Sequence, residues 1–163
     1  YRRSYMDKEI KAYLSIEMKV AVAFNFFING MVIALIYHKA DMVPTDTVSL
    51  AIDLTLTCLF TFIVSAFSNR ASLRRTKTAG ILDAPNSVTR RLSRLFRCPV
   101  LFGTLLGFFA AAVLFGLAAP VFALLGLKEL PFSLYITLKT VFCALLGGGV
   151  TLIELYAGMC RAE

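Results

Sequence analysis

The sequence predicts an all-α integral membrane protein with four transmembrane helices, and three observations support this fold class. Of its 163 residues 58% are hydrophobic, and the mean hydropathy is +0.76, well above the range of soluble domains. Four apolar segments each hold enough residues to cross the roughly 30 Å hydrocarbon core of a bilayer. Basic residues collect in the segments at one end of these spans. We predict spans at residues 17–38, 47–68, 100–127 and 131–158, within a single domain of residues 6–163.

The distribution of charge predicts the orientation of these spans. The chain has 17 Lys and Arg against 10 Asp and Glu, for a net charge of +7. Eight of the basic residues lie in residues 70–97 and five precede the first apolar segment, whereas only Lys39 and Lys128 lie in the other two loops. Because cytoplasmic loops are enriched in Lys and Arg, we expect both termini and the basic loop 69–99 to be cytoplasmic. We expect a bacterial cytoplasmic membrane, and we treat residues 1–5, which precede Met6, as a cloning remnant.

The first span carries two amides on one helical face. Asn25 and Asn29 are four residues apart, and Glu17 shares their face. Within a bilayer an amide usually bonds to a neighbouring helix, an interaction of about 0.6 to 2 kcal/mol. We therefore expect the pair either to join two helices or to bind a solute.

The second span has a polar residue at every fourth position. A carboxylate at the centre of a membrane helix costs roughly +2.5 to +3.5 kcal/mol on insertion scales, so Asp53 must face protein or water and needs a partner. The polar positions of residues 47–69 are Ser49, Asp53, Thr57, Thr61, Ser65 and Asn69.

The basic loop contains a predicted amphipathic helix at residues 87–97, with Ser87 as its cap. Its apolar positions recur at helical spacing, and four arginines take the other faces. A helix of this kind lies on anionic lipid headgroups, although the charges alone would also fix the topology. The apolar residues are Val88, Leu92, Leu95 and Phe96, and the arginines are Arg90, Arg91, Arg94 and Arg97.

The third span is uncharged and carries small residues at four-residue spacing. Gly103, Gly107 and Ala111 form a surface for close helix packing, either within the chain or between two copies of it. Pro120 predicts a kink or a break near the outer end of this helix.

The fourth span carries two charged residues, Lys139 and Glu154. Counted from the outer ends of their helices, Asp53 and Lys139 lie about 7.5 and 10.5 Å deep, within the reach of a lysine side chain. We predict an ion pair between them with Asn25 or Asn29 nearby. In the alternative, Lys139 extends to the headgroups and Asp53 takes a proton. Gly147 and the two glycines after it predict close helix approach or local unwinding.

The second and fourth spans resemble each other when the chain is shifted by 84 residues. Ser49 then matches Ser133, Leu50 matches Leu134 and Ile52 matches Ile136. A duplication would give two helical hairpins of the same orientation, related by an axis along the membrane normal.

These features favour a small transporter or channel for an ion or small polar solute. The alternative is an accessory or scaffold subunit that binds a larger membrane partner or assembles with its own copies. The expected polar cluster is Asn25, Asn29, Asp53, Thr57, Lys139 and Glu154. An enzyme is not expected, since the chain has no catalytic motif, one His and no C-x-x-C spacing. We expect no metal, no cofactor and no nucleic-acid partner.

Overall fold

The computed structural model describes the backbone of residues 2–161 and the side chains of residues 8–161. These residues form five helices and two short strands. In chain order they are α1 (Arg2–Tyr37), β1 (Met42–Pro44), α2 (Thr47–Thr76), α3 (Ser87–Phe96), α4 (Pro99–Leu124), β2 (Glu129–Pro131) and α5 (Phe132–Met159).

Four helices are long and apolar enough to cross a membrane: α1 from Lys8 onward, α2, α4 and α5. This confirms the prediction of four long apolar helices, but three boundaries differ. α1 begins well before the predicted residue 17. α2 continues to Thr76 and ends at Lys77, which has a left-handed backbone (φ 55°). α4 continues through Pro120 without a break and ends at Leu124, because Gly126 (φ 65°) turns the chain and the N–H of Leu127 bonds to the carbonyl of Phe122.

The four long helices form an open bundle in the spatial order α4, α2, α5, α1. α2 packs against α4 and α5, and α1 packs against α5, whereas α1 makes few direct contacts with α2 and α4 makes few with α5. α2 and α5 run in the same direction, since early residues of both helices meet (Asp53 with Lys139) and so do late residues (Asn69 with Glu154). Each hairpin therefore packs through its first helix onto the second helix of the other hairpin.

Small residues allow the two outer helices to approach the central pair. A Cβ added to Gly103 would lie 2.7 Å from the backbone of Ile63, and one added to Gly107 would lie 3.1 Å from Leu59. Ala111 is also buried, and the two glycine contacts show that this surface of α4 packs within the chain. On α5, Gly147 faces Asn25 of α1 in the same way. α5 is helical throughout its three glycines, so the chain does not unwind there. Gly147 and Gly148 allow close approach of α1, whereas nothing lies within 4 Å of a Cβ added to Gly149.

The two ends of the bundle have different covers. At the ribbon end, β1 and β2 pair antiparallel, with Val43 opposite Leu130, and Thr45 donates to the carbonyl of Leu127. At the α3 end, the loop after α2 hydrogen-bonds to the chain beyond α5, where Leu82 bridges to Cys160. Neither pairing was predicted from the sequence, because both join segments that are distant along the chain.

α3 is present, but its cap and its buried face differ from the prediction. Asn86, not Ser87, is the cap, and its side chain accepts from the N–H of Thr89 at 2.8 Å. Phe96 is buried in the core cluster at the α3 end, while Val88 is 63% exposed. The hydroxyl of Ser93 is buried and donates to the carbonyl of Cys160 at 2.6 Å. α3 therefore docks on the end of the bundle through part of its apolar face.

Candidate functional site

A groove lies between α1 and α2, with α5 as its floor, and we call it the polar groove. It consists of a cavity of about 690 Å³ toward the ribbon end and one of about 230 Å³ toward the α3 end, which share Ile28, Asn29 and Phe60 as walls. The polar groups of the larger cavity include Asn29, Ser49, Asp53, Thr57, Tyr135 and Lys139. Those of the smaller one include Glu17, Asn25, Thr61, Ser65, Ser68, Asn69 and Thr151.

The four-residue spacing of polar side chains in α2 has a structural explanation in this groove. All six members of the stripe line it: the first three border the larger cavity and the last three border the smaller one. The stripe therefore supplies a polar wall along most of the length of a membrane span.

An ion pair lies on the floor of the larger cavity. The ammonium of Lys139 donates to Asp53 Oδ2 and to Thr57 Oγ1, the second bond measuring 2.7 Å. The Lys139 side chain is 8% exposed, whereas that of Asp53 is 34% exposed. The structure thus contains the predicted pair, oriented with its positive end buried and its negative end accessible.

The two amides of α1 do not join helices. Asn25 donates to the carbonyl of Ala21 and Asn29 donates to that of Asn25, both at 2.9 Å and both within α1. The expected bond to another helix is wrong, because each side chain reaches a carbonyl four residues back in its own helix. Asn29 nevertheless lines the same cavity as Asp53 and Lys139, while Asn25 packs on Gly147.

Glu154 is separate from the ion pair, so the predicted cluster divides into two sites. It lies near the α3 end of α5 with 0% exposure, and its Oε2 accepts from the amide of Asn69 at 2.6 Å. Its Oε1 is buried with no partner among the described residues. Asn69 was not predicted as a site residue, although it is the last member of the α2 stripe.

Tyrosines close both ends of the polar groove. At the ribbon end, the rings of Tyr37 and Tyr135 meet edge to face at 5.7 Å. At the α3 end, Ser72 donates to Glu17 at 2.7 Å and accepts from the Tyr13 hydroxyl at 2.7 Å, which ties α1 to α2. Reasoning from the sequence did not predict these contacts, because each joins residues that are distant along the chain.

The side of the polar groove is open between these closures. Its rims are apolar side chains that lie on the outer surface of α1 and α2, with exposures between 41% and 65%. In a bilayer such surfaces face acyl chains. The rim residues are Phe24, Val32, Ile36, Leu56, Phe60 and Val64.

A second groove of about 430 Å³ lies between α4 and α5, and we call it the apolar groove. Leucines dominate its walls, with Leu114 and Leu117 on α4 and Leu138 on α5. Asp53 and Lys139 also border it, so the ion pair separates two grooves of different polarity.

The four predicted lipid-binding arginines are exposed at the α3 end. Three of them, Arg91, Arg94 and Arg97, line a depression of about 470 Å³ that also includes Leu101 at the start of α4. The carbonyl of Arg97 accepts a hydrogen bond from Arg70, which fixes the junction of α3 and α4 to α2. The site combines several positive charges with an apolar edge.

Among the described residues, no three His, Cys, Asp or Glu side chains stand close enough together to hold a metal ion. Comparison of the chain with protein-family models, with curated proteins and with solved structures finds no match.

Proposed function

We propose that the protein is a small membrane transporter that moves an ion or small polar solute along the polar groove. The observation that carries this proposal is the line of six polar side chains on α2, all of which border the groove between its two closures. Ionisable groups inside a membrane are costly, and those that face a cavity mark substrate or ion pathways.

The charge distribution supports a definite orientation. Eight basic residues lie in residues 70–97, at the α3 end, so this end is cytoplasmic and the ribbon end is external. The packing supports two hairpins of the same orientation, because α1 on α5 and α4 on α2 are equivalent contacts. Asp53 and Lys139 would then occupy equivalent turns of the two halves, with the ion pair near the axis that relates them.

The two closures suggest how the groove opens to one side at a time. Parting of Tyr37 from Tyr135 opens the external end, and loss of the Tyr13 and Glu17 bonds to Ser72 opens the cytoplasmic end. Opening of the two ends in turn, around a fixed polar site, is the behaviour of secondary transporters.

The experiment that tests this function needs no knowledge of the solute. Single cysteines replace Thr57 and Ser65 in a background without Cys58, Cys98, Cys143 and Cys160, and a membrane-impermeant thiol reagent is added to either side of reconstituted vesicles. A transporter exposes both positions to both sides in turn. Leu145, which is 70% exposed outside the groove, provides a lipid-facing control that does not react. The proposal would be refuted if the two groove positions react with the reagent from neither side of the membrane, or from only one side.

The second candidate is an accessory subunit, and the basic depression at the α3 end favours it. Arg91, Arg94 and Arg97 next to Leu101 suit the phosphate and the acyl chain of an anionic lipid, or an acidic surface of a larger membrane partner. In this case the arginines hold the protein in place and the groove residues fix helix packing. Replacement of the three arginines by glutamine then abolishes co-purification with anionic lipid or partner, while the groove cysteines stay unreactive.

A further inference from the structure

We infer that the substrate of the polar groove is a lipophilic cation, a molecule with a positively charged head and an apolar body. This inference rests on the proposed function. Of the ions and small polar solutes named there, it selects an organic ion with an apolar body and excludes the fully polar solutes. It follows from three features of the groove: its open side, the direction of its ion pair and its aromatic walls.

The open side determines the shape of the substrate. α1 and α2 make few direct contacts, and the rims of the groove are exposed apolar side chains such as Val32 and Leu56. A fully polar solute in this groove would have acyl chains along one side, at the cost of several unmade hydrogen bonds. An amphiphile avoids this cost, because its head lies in the groove while its apolar part passes between the rims into the bilayer.

The direction of the ion pair determines the charge of the head. Lys139 is nearly buried and already bonds to Asp53 and Thr57. A bound molecule therefore has little access to the ammonium group and interacts with it only weakly. One third of the Asp53 side chain is accessible, and its Oδ1 makes none of the hydrogen bonds that hold Lys139. The pair is therefore a fixed dipole whose negative end points to the accessible side, which attracts a cation and repels an anion of the same shape.

Aromatic rings add a second attraction for a positive charge. Phe60, Tyr37 and Tyr135 line the same cavity as Asp53. The face of an aromatic ring attracts a cation by about 0.5 to 2 kcal/mol, with the larger value where water is excluded. The apolar groove also has three aromatic residues, Phe122, Tyr135 and Phe142, but its other walls are mainly leucine. The polar groove differs in that it adds Asn29 and Ser49 as hydrogen-bond partners beside the rings.

The experiment uses two probes of the same shape and opposite charge, tetraphenylphosphonium and tetraphenylborate. Saturable binding to the full chain in nanodiscs is measured by equilibrium dialysis, with empty nanodiscs as the blank for partition into lipid. We expect the wild-type protein to prefer the cation by about tenfold, which corresponds to about 1.4 kcal/mol. Asp53→Asn uncovers Lys139 and is expected to reverse the preference. The double variant Asp53→Asn with Lys139→Gln is expected to show none.

A pair of bulky substitutions identifies the groove that binds and does not depend on the folding of Asp53→Asn. Val32→Trp fills the rim of the polar groove, and Leu117→Trp fills the rim of the apolar groove; both side chains are exposed at present. Val32→Trp is expected to weaken cation binding at least about tenfold, and Leu117→Trp is the matched control that leaves it unchanged.

Three results would overturn the inference. The first is equal saturable binding of both probes by the wild-type protein, and the second is loss of binding on Leu117→Trp instead of Val32→Trp. The third is a disulfide-linked dimer of Val32→Cys that forms in nanodiscs and excludes the cation, since a second copy would then be the occupant of the open side. None of these results bears on whether Thr57 and Ser65 react with thiol reagents from both sides, so a failure here is distinct from a failure of the transporter proposal.

Discussion

Lys139 and Asp53 neutralise each other across the contact between two parallel helices, and the ammonium is the more deeply buried partner. Lys139 is 8% exposed and Asp53 is 34% exposed. An uncompensated charge costs most where water cannot reach it. Removal of the Asp53 charge is therefore expected to destabilise the protein more than removal of the Lys139 charge.

Asp53→Asn is expected to be the most damaging change at this pair. It leaves Lys139 buried with Thr57 as its remaining partner, and we expect a loss of about 3 kcal/mol. Lys139→Gln is expected to cost less, because Asp53 keeps contact with the groove. The double variant should lie closest to the wild type. Thermal unfolding in detergent, followed by circular dichroism because the chain has no tryptophan, ranks the stabilities of the three variants. Equal losses of stability in the two single variants would contradict this prediction.

Gly103→Ala tests the close approach of α4 to α2. The new methyl group would lie 2.7 Å from the backbone of Ile63, so the helices must separate, at a cost of about 1 to 3 kcal/mol. Gly116→Ala is the matched control on the same helix, since nothing lies within 4 Å of its added Cβ, and alanine should raise stability by about 0.5 to 1 kcal/mol. Melting temperatures that fall equally in both variants would show that α4 does not pack on α2 in this way.

Glu154→Gln is expected to preserve stability, and Glu154→Leu is expected to reduce it. Glutamine keeps a carbonyl oxygen that accepts from Asn69 and removes a buried acid whose Oε1 has no partner. Leucine leaves the Asn69 amide without its acceptor, which costs about 1 to 3 kcal/mol. Asn69→Leu combined with Glu154→Leu should recover part of this loss. Denaturation in detergent distinguishes these cases, and a larger loss for glutamine than for leucine would exclude the hydrogen bond.

The orientation of the protein can be measured with two engineered cysteines. Met42 on β1 and Ser87 at the start of α3 are both exposed, at opposite ends of the bundle. In intact cells expressing a variant without native cysteines, we expect an impermeant thiol reagent to label position 42 and not position 87. Permeabilised cells should show labelling at both. Labelling of position 87 alone in intact cells would reverse the orientation.

Asp46 is expected to make the stability of the ribbon end depend on pH. It caps α2, and a hydrogen bond from the Ser49 hydroxyl, followed by the bond from the Ser49 N–H, lowers its pKa from the ordinary value of 3.8. Because the pKa is lower in the folded state, the stabilisation is complete above 3.8 and is lost as the pH falls through the folded pKa. Asp46→Asn still caps but has no charge, so its stability relative to the wild type should be lower at neutral pH and equal in strong acid. A difference that persists unchanged in acid would rule out the carboxylate as its source.

The spans, the ion pair and the glycine contacts could be predicted because each depends on a local rule. An apolar run of about 20 residues gives a span, a buried carboxylate requires a cation, and small residues four apart allow close packing. The depth count was sufficient to match Asp53 with Lys139. Only Asp53 and Thr57 of the α2 stripe were predicted as site residues, whereas the structure places all six of its residues on the groove.

The remaining features depend on which helices are neighbours, and this is not visible in one sequence. Glu154 was grouped with the ion pair by type, but its partner Asn69 is determined by the register of α2 against α5. The amides of Asn25 and Asn29 could donate to another helix or to a carbonyl of their own helix. In the structure both donate to a carbonyl of α1. The β-ribbon joins residues 42–44 to residues 129–131. Strands of three residues are too short to be predicted from a sequence pattern.

The order in which the helices pack has a consequence for synthesis. Of the five helices, α1 leaves the ribosome first, yet its main contact is with α5, the last of the five to be made. α2 likewise cannot pack until α4 has been made, and the β-ribbon forms only after residues 129–131 have left the ribosome. Chains generally fold from the N-terminus as they are made, but here the first hairpin has little to pack against until the second is inserted. Nascent α1 and α2 therefore remain as separate helices in the insertion machinery or the lipid. A chain that stops before α5 lacks Lys139, so Asp53 has no cationic partner, and the cell's quality control can recognise this exposed carboxylate.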